Sequence, residues 1–156
     1  QFSWGPIVEV GILFAGIFLT IIPVIAMLQA GVEGPFGPVV RAVTHADGSP
    51  NEVMYFWITG SLSSVLDNAP TYLVFFNTAG GVTAELIGPL ETTLAAISAG
   101  AVFMGAMTYI GNAPNLMVKA IAEDQDVKMP SFFGYMIWSC GILVPLYALL
   151  TWLFFT

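Results

Sequence analysis

Two apolar stretches frame this chain, and two interrupted ones lie between them. Ile7 to Gln29 is apolar apart from Glu9 near one edge and Pro23 near the other. At 1.5 Å per residue its 23 positions reach about 34 Å, enough to cross a hydrocarbon core about 30 Å thick. Trp4 suits an interfacial anchor, and Gly11 with Ala15 forms a small-xxx-small pair for close helix approach. Ser131 to Phe155 is the second clean span, aromatic at both ends, with Pro145 as a kink that lipid-embedded helices tolerate.

The intervening material is of two kinds. Ala30 to Asn51 is dense in Gly and Pro and carries Arg41, His45 and Asp47, so an aqueous loop is expected, with His45 solvated. Val53 to Asn77 is apolar at both ends but holds Ser61, Ser63, Ser64, Asp67, Asn68, Pro70 and Thr71 in its middle. Pro89 to Ala122 is an Ala/Gly-rich stretch interrupted by Thr108, Gly111, Asn112, Pro114 and Asn115. As a single helix its 34 residues would be about 51 Å long, too long for one crossing without a break.

The two interruptions match. Asp67-Asn68-Ala69-Pro70-Thr71-Tyr72-Leu73-Val74 aligns without gaps on Gly111-Asn112-Ala113-Pro114-Asn115-Leu116-Met117-Val118, sharing Asn, Ala, Pro and Val. Proline lacks an N–H and clashes with the preceding turn, so each helix should stop there and a new one start beyond Pro70 or Pro114. Freed backbone groups would cost several kcal/mol each in hydrocarbon, so such a break has to face protein or a wet cavity. The new half-helix then presents unpaired N–H groups and a positive dipole end, while carbonyls of the preceding one can hold a cation.

Asp67 adds a carboxylate to this setting, with no Arg or Lys in the same segment to pair with it. Burial favours its protonated form and a bound cation its charged form, so proton and cation would compete for it. It can equally cap the half-helix that follows. For Ser61, Ser63 and Ser64 the plainer expectation is a hydroxyl bonding back along its own helix. Glu9 is expected at the headgroups, and Glu52, Glu85 and Glu91 in water. Glu123, Asp124 and Asp126 with Lys119 and Lys128 read as a charged surface connection, with a faint positive-inside vote for the cytoplasmic side.

Composition then fixes the class. Of 156 residues 57% are hydrophobic and 8% charged, with a mean hydropathy of +0.86, which describes an integral membrane protein. A net charge of −7 from only three basic residues removes nucleic acid and polybasic lipid binding. Cys140 has no disulfide partner and reads as a small buried hydrophobe. One Cys and one His argue against an all-protein zinc or haem site, so no cofactor is expected.

Ser63-Ser64-Val65-Leu66-Asp67-Asn68-Ala69-Pro70 followed by Thr108-Tyr109-Ile110-Gly111-Asn112-Ala113-Pro114-Asn115-Leu116 resembles the ion transporter superfamily, which includes sodium:proton antiporters, citrate and dicarboxylate transporters and arsenite permeases. The resemblance implies an all-α membrane fold: a spanning helix, a re-entrant hairpin, a broken transmembrane helix and a second spanning helix. Residues 1–156 would then be one inverted-repeat domain, the C-terminal half of a transporter, with 30–51 an aqueous loop. The limb after Pro70 measures about 10 Å before Asn77, too short to complete a crossing, which also favours a hairpin. The family site needs a second hairpin, expected from a missing N-terminal half rather than from a second copy in a homodimer.

By that resemblance Asp67, Asn68, Thr71, Ser64, Thr108, Asn112 and Asn115 bind ion or substrate. Pro70, Gly111 and Pro114 make the breaks, and Asp67 with Asn68 ligates transported Na⁺. Dicarboxylate members show Ser-Asn-Thr at the tip where this chain has Leu66-Asp67-Asn68, so the leading expectation is sodium:proton antiport with Na⁺ and H⁺ as cargo. The rival is a Na⁺- or H⁺-coupled citrate or dicarboxylate transporter. A membrane protease lacks a second catalytic group inside a helix, and a structural subunit leaves the breaks unexplained. The expected setting is a prokaryotic inner membrane, with the lipid bilayer as partner.

Overall fold

The computed structural model describes residues 5–156, without the side chains of 5–7, 9, 10, 13, 14, 17, 29 and 113. Trp4 and the Glu9 side chain therefore lie outside the described residues. The α-helices are α1 (Gly5–Gln29), α2 (Gly37–Ala42), α3 (Glu52–Ser63), α4 (Asn68–Thr78), α5 (Thr83–Leu86), α6 (Glu91–Phe103), α7 (Ala113–Asp124) and α8 (Phe132–Phe154). Tight 3₁₀ turns occupy Gly31–Glu33 and Met104–Met107. No strand forms among the described residues beyond an isolated bridge between Thr44 and Pro50.

Among the described residues, α8 is long and apolar enough to cross a membrane. Only 17% of its most apolar window is buried, so its apolar surface points outward, unlike a core helix of a water-soluble protein. It runs unbroken through Pro145 and is capped by Ser131, whose hydroxyl accepts the Gly134 N–H at 3.2 Å. Helix α1 has 25 residues, with Ile12, Leu19 and Ile22 exposed. Gly11 and Ala15 are also exposed, and no described residue packs on Gly11.

Helices α3 and α4 form a hairpin. Tyr55, in the first turn of α3, meets Phe75, late in α4, edge to face with ring centroids 6.3 Å apart. A straight continuation would separate these residues by about 30 Å. The chain therefore turns back on itself at Ser64–Asp67.

Helix α6 runs parallel to α3. Near their starts Thr93 Oγ1 donates to Glu52 Oε1 at 3.2 Å, and near their ends the Ser63 hydroxyl donates to the Ala101 carbonyl. The buried faces are Tyr55, Phe56, Thr59, Gly60 and Ser63 on α3, and Thr93, Ala96, Ile97, Gly100 and Ala101 on α6. This three-and-four spacing is one helical stripe on each partner. At Gly100 a Cβ would lie 2.5 Å from the Phe56 carbonyl oxygen, so the backbones approach more closely there than any side chain permits.

The segment read as an aqueous loop is more ordered than that. It contains α2, and Val43 is fully buried against the core formed by Phe56, Phe75 and Ile97. Arg41 donates to the Val32 carbonyl at 3.0 Å, fastening the start of the segment to α2. The remaining turn is exposed, His45 included. There the Ser49 hydroxyl and backbone N–H hold the Asp47 carboxyl below its usual range.

The long second segment breaks as its length requires, but one turn earlier than Thr108. Helix α6 ends at Phe103, a 3₁₀ turn follows, Thr108 is extended, and α7 begins at Ala113. Helix α8 docks on this break by hydroxyl groups. Tyr135 donates to the Ala106 carbonyl at 2.8 Å, Ser139 to Met107 at 2.7 Å and Tyr147 to Phe103 at 2.6 Å. Every residue that α8 buries fully (Ser139, Tyr147, Thr151) carries a hydroxyl.

Replacing Gly100 with Leu is expected to cost at least about 1–3 kcal/mol, since the Phe56 backbone cannot yield. The readout is a lower melting midpoint of the detergent-purified protein. Gly141→Ala, with open space around it, should leave the midpoint unchanged. Equal midpoints would mean that α3 and α6 do not pack backbone to backbone.

Candidate functional site

The hairpin tip and the helix break meet. Asn68 is the link: the polar end of its side chain that faces Ala101 O and Gly111 O must be its nitrogen, because an oxygen there would face only acceptors. In that orientation it donates to Ala101 O at 2.9 Å, with Gly111 O at 3.2 Å and Ser63 Oγ at 2.9 Å. Thr108 closes the junction from the other side. Its hydroxyl donates to the Ser64 carbonyl and accepts the Gly111 N–H at 2.9 Å.

At Gly111 three backbone oxygens converge. A Cβ there would lie 2.7 Å from Gly105 O, 2.8 Å from Ser64 O and 3.0 Å from Ser63 O. Only glycine fits: the three carbonyls close on the Gly111 backbone, and two of them, Ser64 O and Gly105 O, also accept from Thr108 and Asn115. Among the described residues there is no cluster of His, Cys, Asp and Glu suited to a metal. Any cation held here would therefore be ligated chiefly by carbonyls, the chemistry of alkali and other hard cations.

The remaining expected residues divide by what their polar atoms already do. Asp67 is half-buried and caps α4, one carboxylate oxygen accepting the Asn68 N–H at 2.6 Å. Its second oxygen bonds to no described residue. Thr71 is buried and its hydroxyl is spent on Asp67 O at 3.0 Å, within its own helix. Ser64 likewise bonds back to Ser61 O at 2.7 Å. Asn115 donates to both Gly105 O and Thr108 O at 3.1 Å, stitching α7 to the break. Asn112 precedes α7 with a half-buried side chain that bonds to no described residue.

The prolines sit differently from the expectation that helices begin after them. Pro70 is the third residue of α4 and Pro114 the second of α7. In a first turn the missing N–H would have had no helical partner, so each proline secures a start rather than marking the break itself. Two half-helix N-termini, at Asn68 and Ala113, thus flank the junction.

Sequence reading passed over three contributors. Ser63, absent from the expected binding set in which Ser64 stands, is the one that crosses to α6, as its place on the buried stripe with Phe56 and Gly60 shows. Gly105 supplies a carbonyl to the cluster. The hydroxyls of α8, at positions 135, 139 and 147, are separated by multiples of four in an otherwise apolar helix. That spacing was the available signal.

Residues 1–155 match the CitMHS_2 family model, described as "Putative citrate transport". No curated protein and no solved structure matches the chain. The match agrees with the superfamily that the two Asn-Ala-Pro elements resemble, and with the outward apolar surface of α8. The chain belongs to this citrate-transport family of the ion transporter superfamily, and is an integral membrane secondary transporter rather than an enzyme.

Proposed function

We propose that the chain is one half of a cation-coupled transporter for a citrate-class carboxylate, and that its tip–break junction holds the coupling cation. The convergence of the Ser63, Ser64 and Gly105 carbonyls on Gly111 carries this reading. Helices α3 and α6 supply the depth: 12 and 13 residues reach about 18 and 20 Å, the middle of a core about 30 Å thick. On this reading α1 and α8 both span, the α3–α4 hairpin is re-entrant, and α6–α7 is one broken transmembrane helix.

The family description supplies the citrate class. A tricarboxylate would not lie inside this half alone. The cavity of about 560 Å³ beside Asn68, between α1, α4 and α6, is lined largely by apolar groups such as Phe18, Leu73 and Val102. Substrate carboxylates instead fit the start of α7 and the uncommitted Asn112 amide, away from the Asp67 carboxylate that caps α4, facing a second hairpin from the other half. That half, or a second copy of the chain, is the partner this reading requires. The setting is a prokaryotic inner membrane.

Sodium:proton antiport is the second reading, favoured by Asp67. A half-buried carboxylate with one uncommitted oxygen can exchange a proton for a cation. Both readings place the cation at the same junction and differ in what travels with it.

Two outcomes are expected. In proteoliposomes carrying the full-length protein, a Na⁺ or H⁺ gradient should drive accumulation of labelled citrate. Where Na⁺ is the coupling ion, Asp67→Asn should raise its half-saturating concentration about tenfold, or about 1.4 kcal/mol. Na⁺-driven proton movement with no citrate uptake would transfer the function to antiport, and an unaltered cation dependence in the variant would reduce Asp67 to a cap. Separately, single cysteines at Val53 and Thr83 should label from the same side of the membrane. Labelling from opposite sides would exclude the re-entrant hairpin.

A further inference from the structure

Helix α8 carries none of the Asn-Ala-Pro elements, yet three of its hydroxyls bond to carbonyls at the break. Tyr135 and Ser139 hold the Ala106 and Met107 carbonyls, one turn of α8 apart, and Tyr147 holds Phe103 two turns further on. Tyr135 also stacks on Tyr109 of the break, ring centroids 4.2 Å apart, and Tyr109 in turn donates to Pro130 O at 3.1 Å. With the carbonyls of 106 and 107 tied to α8, that of Gly105 is left on the side of Gly111 and Asn115, where it joins the oxygen cluster.

We propose that Tyr135 and Ser139 are positioning residues for the cation site: they fix the 3₁₀ turn so that Gly105 O faces the junction, and so set cation affinity and the preference among alkali cations. This rests on the reading of the junction as a cation site. The hydroxyls themselves touch no ion and act only through the carbonyls they hold.

The test uses the full-length transporter in proteoliposomes, with citrate uptake followed against Na⁺ and Li⁺ concentration. Tyr135→Phe keeps the ring stacked on Tyr109 and removes only the hydroxyl; Ser139→Ala removes the other, and Ser139→Thr restores it. Thr151→Val is the comparison, since the Thr151 hydroxyl bonds within α8 to Tyr147 O at 2.8 Å and not to the break. The expected result is an increase of about tenfold in half-saturating Na⁺ for Tyr135→Phe and Ser139→Ala, with a changed Na⁺/Li⁺ ratio. Maximal rate should stay within about twofold, Ser139→Thr should recover affinity, and Thr151→Val should retain it. Lower melting midpoints with unaltered half-saturating Na⁺ would overturn the proposal and leave the hydroxyls as packing contacts. Wild-type uptake indifferent to both cations would remove the cation site itself, and the positioning role with it.

Discussion

A helix that stops in apolar surroundings leaves carbonyls that only protein donors can satisfy, and the rest of this fold is arranged around answering them. At the break between α6 and α7, side-chain donors reach seven carbonyls that the interruption frees or bends. Ser63 and Asn68 serve Ala101, Tyr147 serves Phe103, and Tyr135 and Ser139 serve Ala106 and Met107. Asn115 serves Gly105 and Thr108, and Asn68 also faces Gly111. The donors come from α3, α4, α7 and α8. Each unsatisfied group would cost several kcal/mol in hydrocarbon, so the break specifies its neighbours more strictly than apolar packing could.

This explains the division of labour among the helices. Lipid tails are as apolar as Leu, so burying an apolar face gives helices in a bilayer little reason to associate. Helices α3 and α6 associate by close backbone approach at Gly60 and Gly100, and α8 by hydroxyls, while Ile137, Trp138, Leu149 and Trp152 stay outward. Several of these carbonyls also meet at the junction. Because Gly111 has no side chain, Ser63, Ser64 and Gly105 can present oxygens there together.

Much of this was written plainly in the chain. Proline, Asn and Gly inside hydrophobic stretches gave both interruptions, and the length of Pro89–Ala122 demanded a break. The short limb after Pro70 pointed to a re-entrant hairpin; the Tyr55–Phe75 contact shows that the chain turns back there, and its re-entry into the membrane is part of the proposal. What was hidden were choices made by tertiary contact. Ser63, on the stripe of Phe56 and Gly60, crosses to α6, and its neighbour Ser64 bonds back to Ser61. The break starts at Met104, beside Gly105, where Tyr147, Tyr135 and Ser139 capture the carbonyls of Phe103, Ala106 and Met107. Val43 looked like loop and is core, since it packs under residues distant in sequence.

On the proposed reading, the junction around Gly111 binds the coupling cation. Its most direct measurement is equilibrium binding of radioactive sodium to the purified full-length protein without citrate, wild type beside Gly111→Ala. The alanine methyl would intrude within 3.0 Å of all three carbonyl oxygens. Saturable binding by the wild type, lost in a Gly111→Ala protein that remains monodisperse, is the expected result. Equal sodium binding by both proteins would contradict a cation site at this junction.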